Sequence, residues 1–259
     1  MARGISFDRV AVVYDSTRSL PPGVEKSVVD LLVRRIGSER TLEVGVGTAR
    51  WAGPLEQRGV AIVGVDLGRA MLTQARRKGF RGGVQGDLLR LPFPDGSFDG
   101  ALANHILHLV EDVPAALDEL ARVVRGRVRS VLRHETARPD LSERYVELAE
   151  RDGGRVGPPG LGERELARRL PPDLLRDAAA YHTSAPARTA LDALESRAFR
   201  DTWAVPEVRH REILTELRAR FGDAEVLTDV RVEVAEWERT RLAAFAVALR
   251  AAQPRGRSD

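Results

Sequence analysis

The sequence predicts an α/β protein whose central parallel sheet is covered by helices on both faces. Two observations carry this prediction. Short apolar runs recur at the spacing of βαβ units, and the segments between them repeat their apolar residues at helical intervals. Strands buried on both faces read as continuous apolar runs, as a parallel sheet requires.

Taken in order, Arg40 to Gly45 reads as a first strand running into a glycine turn, and Ala61 to Asp66 as a second that ends in an acid. A short third strand lies around Gly83 to Gln85, a fourth over Phe98 to Asn104, and a fifth over Val128 to Leu132. The first helix spans Val24 to Ile36, with Val24, Val28, Leu31 and Leu32 on one face and Gly37 to stop it. A second runs from Arg69 to Lys78, with Met71, Leu72 and Ala75 together. Another covers Val113 to Val124, with Asp112 as N-cap, Pro114 in the first turn, and a stripe of Leu117, Leu120 and Val124.

Beyond His134 the pattern changes. Residues 138–200 lack strand alternation, contain Gly153-Gly154 and Gly157-Pro158-Pro159-Gly160, and otherwise read as helical and Arg-rich. They form an expected helical cap, inserted in a core of residues 1–137 and 201–255. A helix follows over Pro206 to Phe221. Val230, Val232 and Val234 then alternate with Arg231 and Glu233, and pair in this reading with Leu242 to Leu249 as an antiparallel hairpin at the sheet edge.

Composition bounds the function. The 259 residues suit one large α/β domain with an insertion. The 41 Lys+Arg nearly cancel 38 Asp+Glu, for a net charge of +3, which disfavours a nucleic-acid surface. The absence of cysteine excludes disulfides, thiolate metal sites, iron–sulfur clusters and a cysteine nucleophile. There is no apolar run of membrane-spanning length and no apolar signal core in MARGISFDRV, so a cytoplasmic protein without a membrane partner is expected. No His-x-x-x-His pair or carboxylate cluster has metal-site spacing, and no metal is expected. A Ser nucleophile elbow is also missing.

The most informative residues are Glu43-Val44-Gly45-Val46-Gly47-Thr48-Ala49. Glycines directly after a strand let backbone approach a ligand below a helix N-terminus. A dinucleotide would want Gly-x-Gly-x-x-Gly, but the third position, counted from Gly45, is Arg50. Glu43 would repel a pyrophosphate and attract a cationic amino group. S-adenosylmethionine has such an amino group, a sulfonium and no phosphate. Asp66 can accept two ribose hydroxyls or cap the following helix. Asp87, after Gly86, can meet an adenine amino group while Leu88 packs on the ring, or it can simply serve the turn.

These residues resemble the class I S-adenosylmethionine-dependent methyltransferases, in their small-molecule branch. The match is carried by Leu42 to Thr48, Gly64-Val65-Asp66 with Met71-Leu72, Gly86-Asp87-Leu88…Leu91-Pro92-Phe93, and Phe98-Asp99-Gly100…His105 to Leu109. Phe7-Asp8…Tyr14-Asp15…Arg18 is similar to the family's N-terminal segment, whose Tyr and Arg close over the cofactor. The likeness covers roughly residues 5 to 135 by motif. It departs at Ala49, where a third glycine is common, and at Arg125-Gly126-Arg127, where the family has Pro-Gly-Gly. The resemblance implies a Rossmann-like, doubly wound, seven-stranded sheet, parallel except for a C-terminal antiparallel hairpin strand.

It also implies S-adenosyl-L-methionine as cofactor and S-adenosyl-L-homocysteine as product. The cofactor-binding residues would be Tyr14, Arg18, Glu43, Gly45, Gly47, Asp66, Leu67, Met71, Asp87, Leu88 and Asn104. His105 follows the fourth strand and is the candidate general base, with His134 after the fifth strand as a weaker one. His108, among Leu107, Leu109 and Val110, reads as packed. Tyr181, His182, Phe199 and Trp203 are the expected aromatic lining of an acceptor pocket. The expected reaction is methyl transfer to a small molecule by a monomer or homodimer. The alternatives are an RNA-modifying methyltransferase, and an enzyme or binding protein that keeps the cofactor pocket without methylating. Ala103-Asn104-His105-Ile106 lacks the Asn/Asp-Pro-Pro-aromatic signature of base-amino methylation. A nicotinamide oxidoreductase fits least.

Overall fold

Seven strands form one sheet in a computed structural model that describes residues 7, 8, 11, 15, 20–151 and 160–252. They are β1 (Thr41–Val44), β2 (Ile62–Asp66), β3 (Gly83–Gln85), β4 (Gly100–Ala103), β5 (Arg127–Arg138), β6 (Leu174–Pro186) and β7 (Glu225–Glu238). Their spatial order is β3-β2-β1-β4-β5-β7-β6. The first five are parallel to one another, and β7 is antiparallel to both β5 and β6. The order reverses between β1 and β4, the place where doubly wound sheets open a crevice.

Helices cover both faces. On one face α4 (Val113–Val123), α6 (Glu163–Arg169) and α9 (Arg239–Ala252) pack on Leu42, Val44, Phe98, Leu132 and Trp237. On the other, α1 (Pro22–Ile36), α2 (Ala52–Gln57) and α3 (Arg69–Arg77) pack on Ile62, Leu102, Val131, Val232 and Val234. The remaining helices, α5 (Leu141–Glu150), α7 (Ala187–Glu195) and α8 (Glu207–Phe221), share a separate apolar cluster around Tyr145, Leu191, Leu194, Ile213 and Leu217. The expected caps hold at α4, where Asp112 accepts from the Ala115 N–H at 2.9 Å.

Two segments differ from the sequence reading. Leu242 to Leu249 is not a strand; it lies in α9, which packs on α4. A continuous apolar run does not distinguish the two periods. Here Leu242 and Ala246 bury one face, with Phe245 and Leu249 packed beside it, and the Ala-rich composition favours a helix. The hairpin partner of β7 is instead β6, from within the expected helical cap. Residues 174–186 carry Ala178-Ala179-Ala180, with no strand alternation, because this edge strand is largely exposed. Pairing with β7, whose own alternation is clear, imposes the extended form on it. Among the described residues, 138–200 therefore contain the α-helices α5, α6 and α7 and the outermost strand.

Charge as well as apolar burial locks β5 and β7 together. The Glu236 side chain is 1% exposed. Its carboxylate is 2.5 Å from Arg35 Nε, 3.5 Å from Arg127 and 3.6 Å from the equally buried Arg129, which also makes a two-bond pair with Glu39. Removing one member of such a buried set leaves the others uncompensated. Glu236→Ala is expected to cost about 3–5 kcal/mol of unfolding free energy, measured by urea denaturation. A loss below about 1 kcal/mol would show the cluster to be energetically neutral.

Candidate active site

The cleft opens at the C-terminal ends of β1, β2 and β4, around the reversal of strand order. Gly45, Gly47, Asp66, Leu67, Met71, Asp87, Leu88 and His105 line it, together with Phe7, Val65, Gly86, Ile106, Leu109 and Val110. Gly45 and Gly47 turn the chain through left-handed backbone, at φ 67° and 54°. A Cβ at Gly45 would sit 2.8 Å from Ile106 Cδ1, so only glycine lets the turn pass beneath the β4 loop. Ala49 adopts φ 58° where a glycine would be relaxed, so methyl-bearing backbone is strained at that departure from the motif.

Asp66 braces the turn. Its two oxygens accept from the Gly47 N–H at 2.8 Å and the Gly68 N–H at 2.7 Å. Burial raises its carboxyl above the usual range, while those two backbone bonds pull it back. It does not cap α3. That work falls to Asp8, whose Oδ1 accepts from the Ala70 N–H at 2.8 Å and the Met71 N–H at 3.3 Å. Asp87 is a turn residue as well as a lining one, since its Oδ1 accepts from the Leu89 N–H at 2.9 Å.

Behind the turn lie Glu43, 2% exposed, and Asn104. Asn104 Oδ1 accepts from the Val131 N–H at 2.7 Å and ties β4 to β5. Burial pushes the Glu43 carboxyl up to about 8, helped by the charge of Asp66 and opposed by Asn104 and the Ala52 N–H. Its Oε2 has no hydrogen-bond partner among the described residues. A buried acid of this kind is stabilised by a nearby cation.

The other predicted residues are dispersed. His105 stands at φ 51° with its side chain 53% exposed to the cleft. His134 is on β5, with Nε2 3.0 Å from Glu233, and does not line the cleft. Tyr181 and His182 lie on β6; Tyr181 packs against the α1–α2 cluster and His182 pairs with Asp229 at 2.5 Å. Phe199 joins the α5–α7–α8 core. Trp203 stacks on the lining residue Phe7, ring centres 5.1 Å apart, with its indole N–H on the Arg197 carbonyl. Tyr14 and Arg18 lie outside the described residues. Sequence reasoning assigned no role to Asp8, Asp15 or Glu163. Asp15 accepts from Thr48 at 2.5 Å and Lys78 at 2.8 Å, and Glu163 meets the histidine turn.

Sheet order, glycine turn and the two acids resemble those of class I S-adenosylmethionine-dependent methyltransferases. Residues 42–132 match the family described as a methyltransferase domain. The chain is similar to the biotin biosynthesis bifunctional protein BioHC of Cellvibrio japonicus, 31% identical over 49% of this chain and 26% of that protein. It is also similar to the demethylmenaquinone methyltransferase of Beutenbergia cavernae, 36% identical over 49% of this chain and 55% of the relative. A malonyl-[acyl-carrier protein] O-methyltransferase of Serratia marcescens is 31% identical over 46% of this chain and 47% of its own. The chain thus spans about half the length, or less, of these relatives. The crystal structure of YcgJ from Bacillus subtilis shares the fold, with TM-score 0.51 at 22% identity over 82% of this chain and 98% of that one.

Two consequences are measurable. Glu43 binds its proton far more tightly when folded, at about 8, than in an unfolded chain near 4.5. Its contribution to stability is therefore complete below about pH 4.5 and is lost as pH climbs through about 8. Melting of the wild type and of Glu43→Gln across pH 5 to 9 should show a falling difference between them that levels off at the alkaline end. Asp66→Ala is expected to weaken S-adenosylmethionine binding by about 1.5–3 kcal/mol in calorimetric titration. Unchanged affinity would leave Asp66 as a brace for the turn alone.

Proposed function

We propose that this protein transfers a methyl group from S-adenosylmethionine to a small-molecule acceptor. The observation that carries the reading is the buried, proton-holding Glu43 behind a glycine turn whose cleft is lined by Asp66 and Asp87 and by no described lysine or arginine. That charge pattern suits a cationic ligand without phosphate. The name of the relative that acts on demethylmenaquinone supports a small-molecule acceptor.

When bound, the cofactor supplies a methyl group already activated on a sulfonium. Each Asp66 oxygen has one lone pair committed to a backbone N–H and another for a ribose hydroxyl. Leu67, Met71 and Leu88 form apolar walls for the adenine, and Asp87 Oδ2 would accept from its amino group. The turn and Glu43 would hold the amino-acid end. His105, on the rim of the cleft, would take the proton of a hydroxyl or ammonium acceptor, a role that lapses for an acceptor already nucleophilic. Holding the reactants in line and excluding water supplies most of the acceleration. The acceptor would enter from the side of α6 and Trp203. No described helix is long and apolar enough to cross a membrane.

Calorimetric titration of cofactor-stripped protein with S-adenosylmethionine, S-adenosylhomocysteine and NAD tests the reading. Micromolar binding of the first two and none of NAD is expected. An ammonium beside Glu43 favours the ionised acid, so binding near pH 7 should release up to one proton, read from buffers of different ionisation heat, and Glu43→Gln should abolish the release. Failure of both sulfur compounds to bind would overturn the assignment. Binding without turnover in an acceptor screen would favour a non-methylating role for the same pocket.

A further inference from the structure

The geometry points to Glu163, at the start of α6, as the positioning residue for His105 and His108. This inference rests on the methyl-transfer reading of the cleft. Glu163 Oε2 lies 4.0 Å from His105 Nδ1 and 3.9 Å from His108 Nδ1, and the two rings stand edge to face with centres 6.2 Å apart. Its other oxygen accepts from the Ile106 N–H at 3.1 Å. The segment ahead of it is fastened to the same turn, with the Gly160 N–H on the His108 carbonyl at 3.1 Å and the Leu161 N–H on the Leu107 carbonyl at 3.3 Å. A Cβ at Gly160 would stand 2.2 Å from the Leu107 oxygen, so no side chain fits there. The clamp is fastened to the turn in which His105 adopts left-handed backbone, a conformation uncommon for residues with side chains.

One buried carboxylate oxygen between two Nδ1 atoms favours the tautomer with hydrogen on Nδ1, which leaves Nε2 as the proton acceptor. On His105 that nitrogen belongs to a ring half exposed in the cleft. The acceptor then gains one methyl group and loses one proton, which moves to His105 Nε2. Glu163 stabilises the imidazolium so formed. A single carboxylate serves two rings, so the cluster holds one positive charge more readily than two. Among the described residues, Asp66 and Asp87 line the same cleft as His105, while Glu111, Arg164 and Glu165 adjoin the two loops in sequence.

The test is nitrogen-detected NMR of the full chain labelled at its five histidines, without cofactor, over pH 5 to 9. Wild type is expected to show Nδ1–H on His105, and Glu163→Gln should lower the His105 and His108 titrations by about one unit. The amide of Glu163→Gln can still accept from the Ile106 N–H, so a purely structural role would leave both titrations and the tautomer unmoved, and that result overturns the inference. Should this variant fail to fold, His108→Gln serves instead. It gives the carboxylate one ring to serve, so the His105 titration should rise, and no change is again refuting. Glu163 does not line the cleft, so S-adenosylmethionine should bind Glu163→Gln as it binds wild type. Loss of binding in the wild type as well would fail the methyl-transfer reading, while the NMR result would still judge the positioning role.

Discussion

Left-handed backbone at Gly45 and Gly47 bends the chain out of β1 where the strand order reverses, and the Asp66 carboxylate holds the bend. One side chain thereby joins the end of β2 to the turn after β1 and to the start of α3. The cleft depends on this arrangement. With any side chain at position 45, Ile106 of the β4 loop would have no room above the turn, and without the brace two backbone N–H groups would lack acceptors. The sheet positions the strand ends, and the bend converts their separation into a binding surface.

The same geometry places acids where acids are costly. Glu43 and Asp66 both carry carboxyls raised by burial, and the charge of Asp66 adds to the rise at Glu43. A pyrophosphate brought to this turn would add to the repulsion. A cationic ligand would relieve it, so the buried acids favour binding one charge type and disfavour the other. The strain at Ala49 and His105 belongs to the same economy of function over local stability, since both flank the cleft in backbone conformations that residues with side chains avoid.

The parallel half of the sheet and its glycine turn were legible because their residues act on neighbours close in sequence. Apolar runs such as Leu42 to Val44, and the helical stripe of Leu117 and Leu120, carry their own periodicity. The outer half was less legible. Ala178 to Ala180 is extended only because β7 pairs with it, and nothing local announces that partner. Leu242 to Leu249 is apolar throughout, so its period is decided by the face it buries against α4. The hidden site residues share one property: they act over long sequence distances. Asp8 caps α3 from 62 residues away, and Glu163 reaches the Ile106 N–H across 57. A lone Asp or Glu has no spacing to read, and only the folded chain reveals what it serves.

Those two residues also show how the outlying parts of the molecule are tied to its strand and glycine motifs. Asp8 is bound to the start of α3, which is close to Asp66 in sequence, and its neighbour Phe7 meets Trp203. Glu163 brings α6 onto the histidine turn from the opposite side. Each contact uses a carboxylate to satisfy backbone N–H groups that would otherwise be left at a helix start or a strained loop. The walls of the cleft are therefore fixed by bonds to its floor. A change in either wall acts on the floor of the cleft through backbone position rather than through direct contact alone.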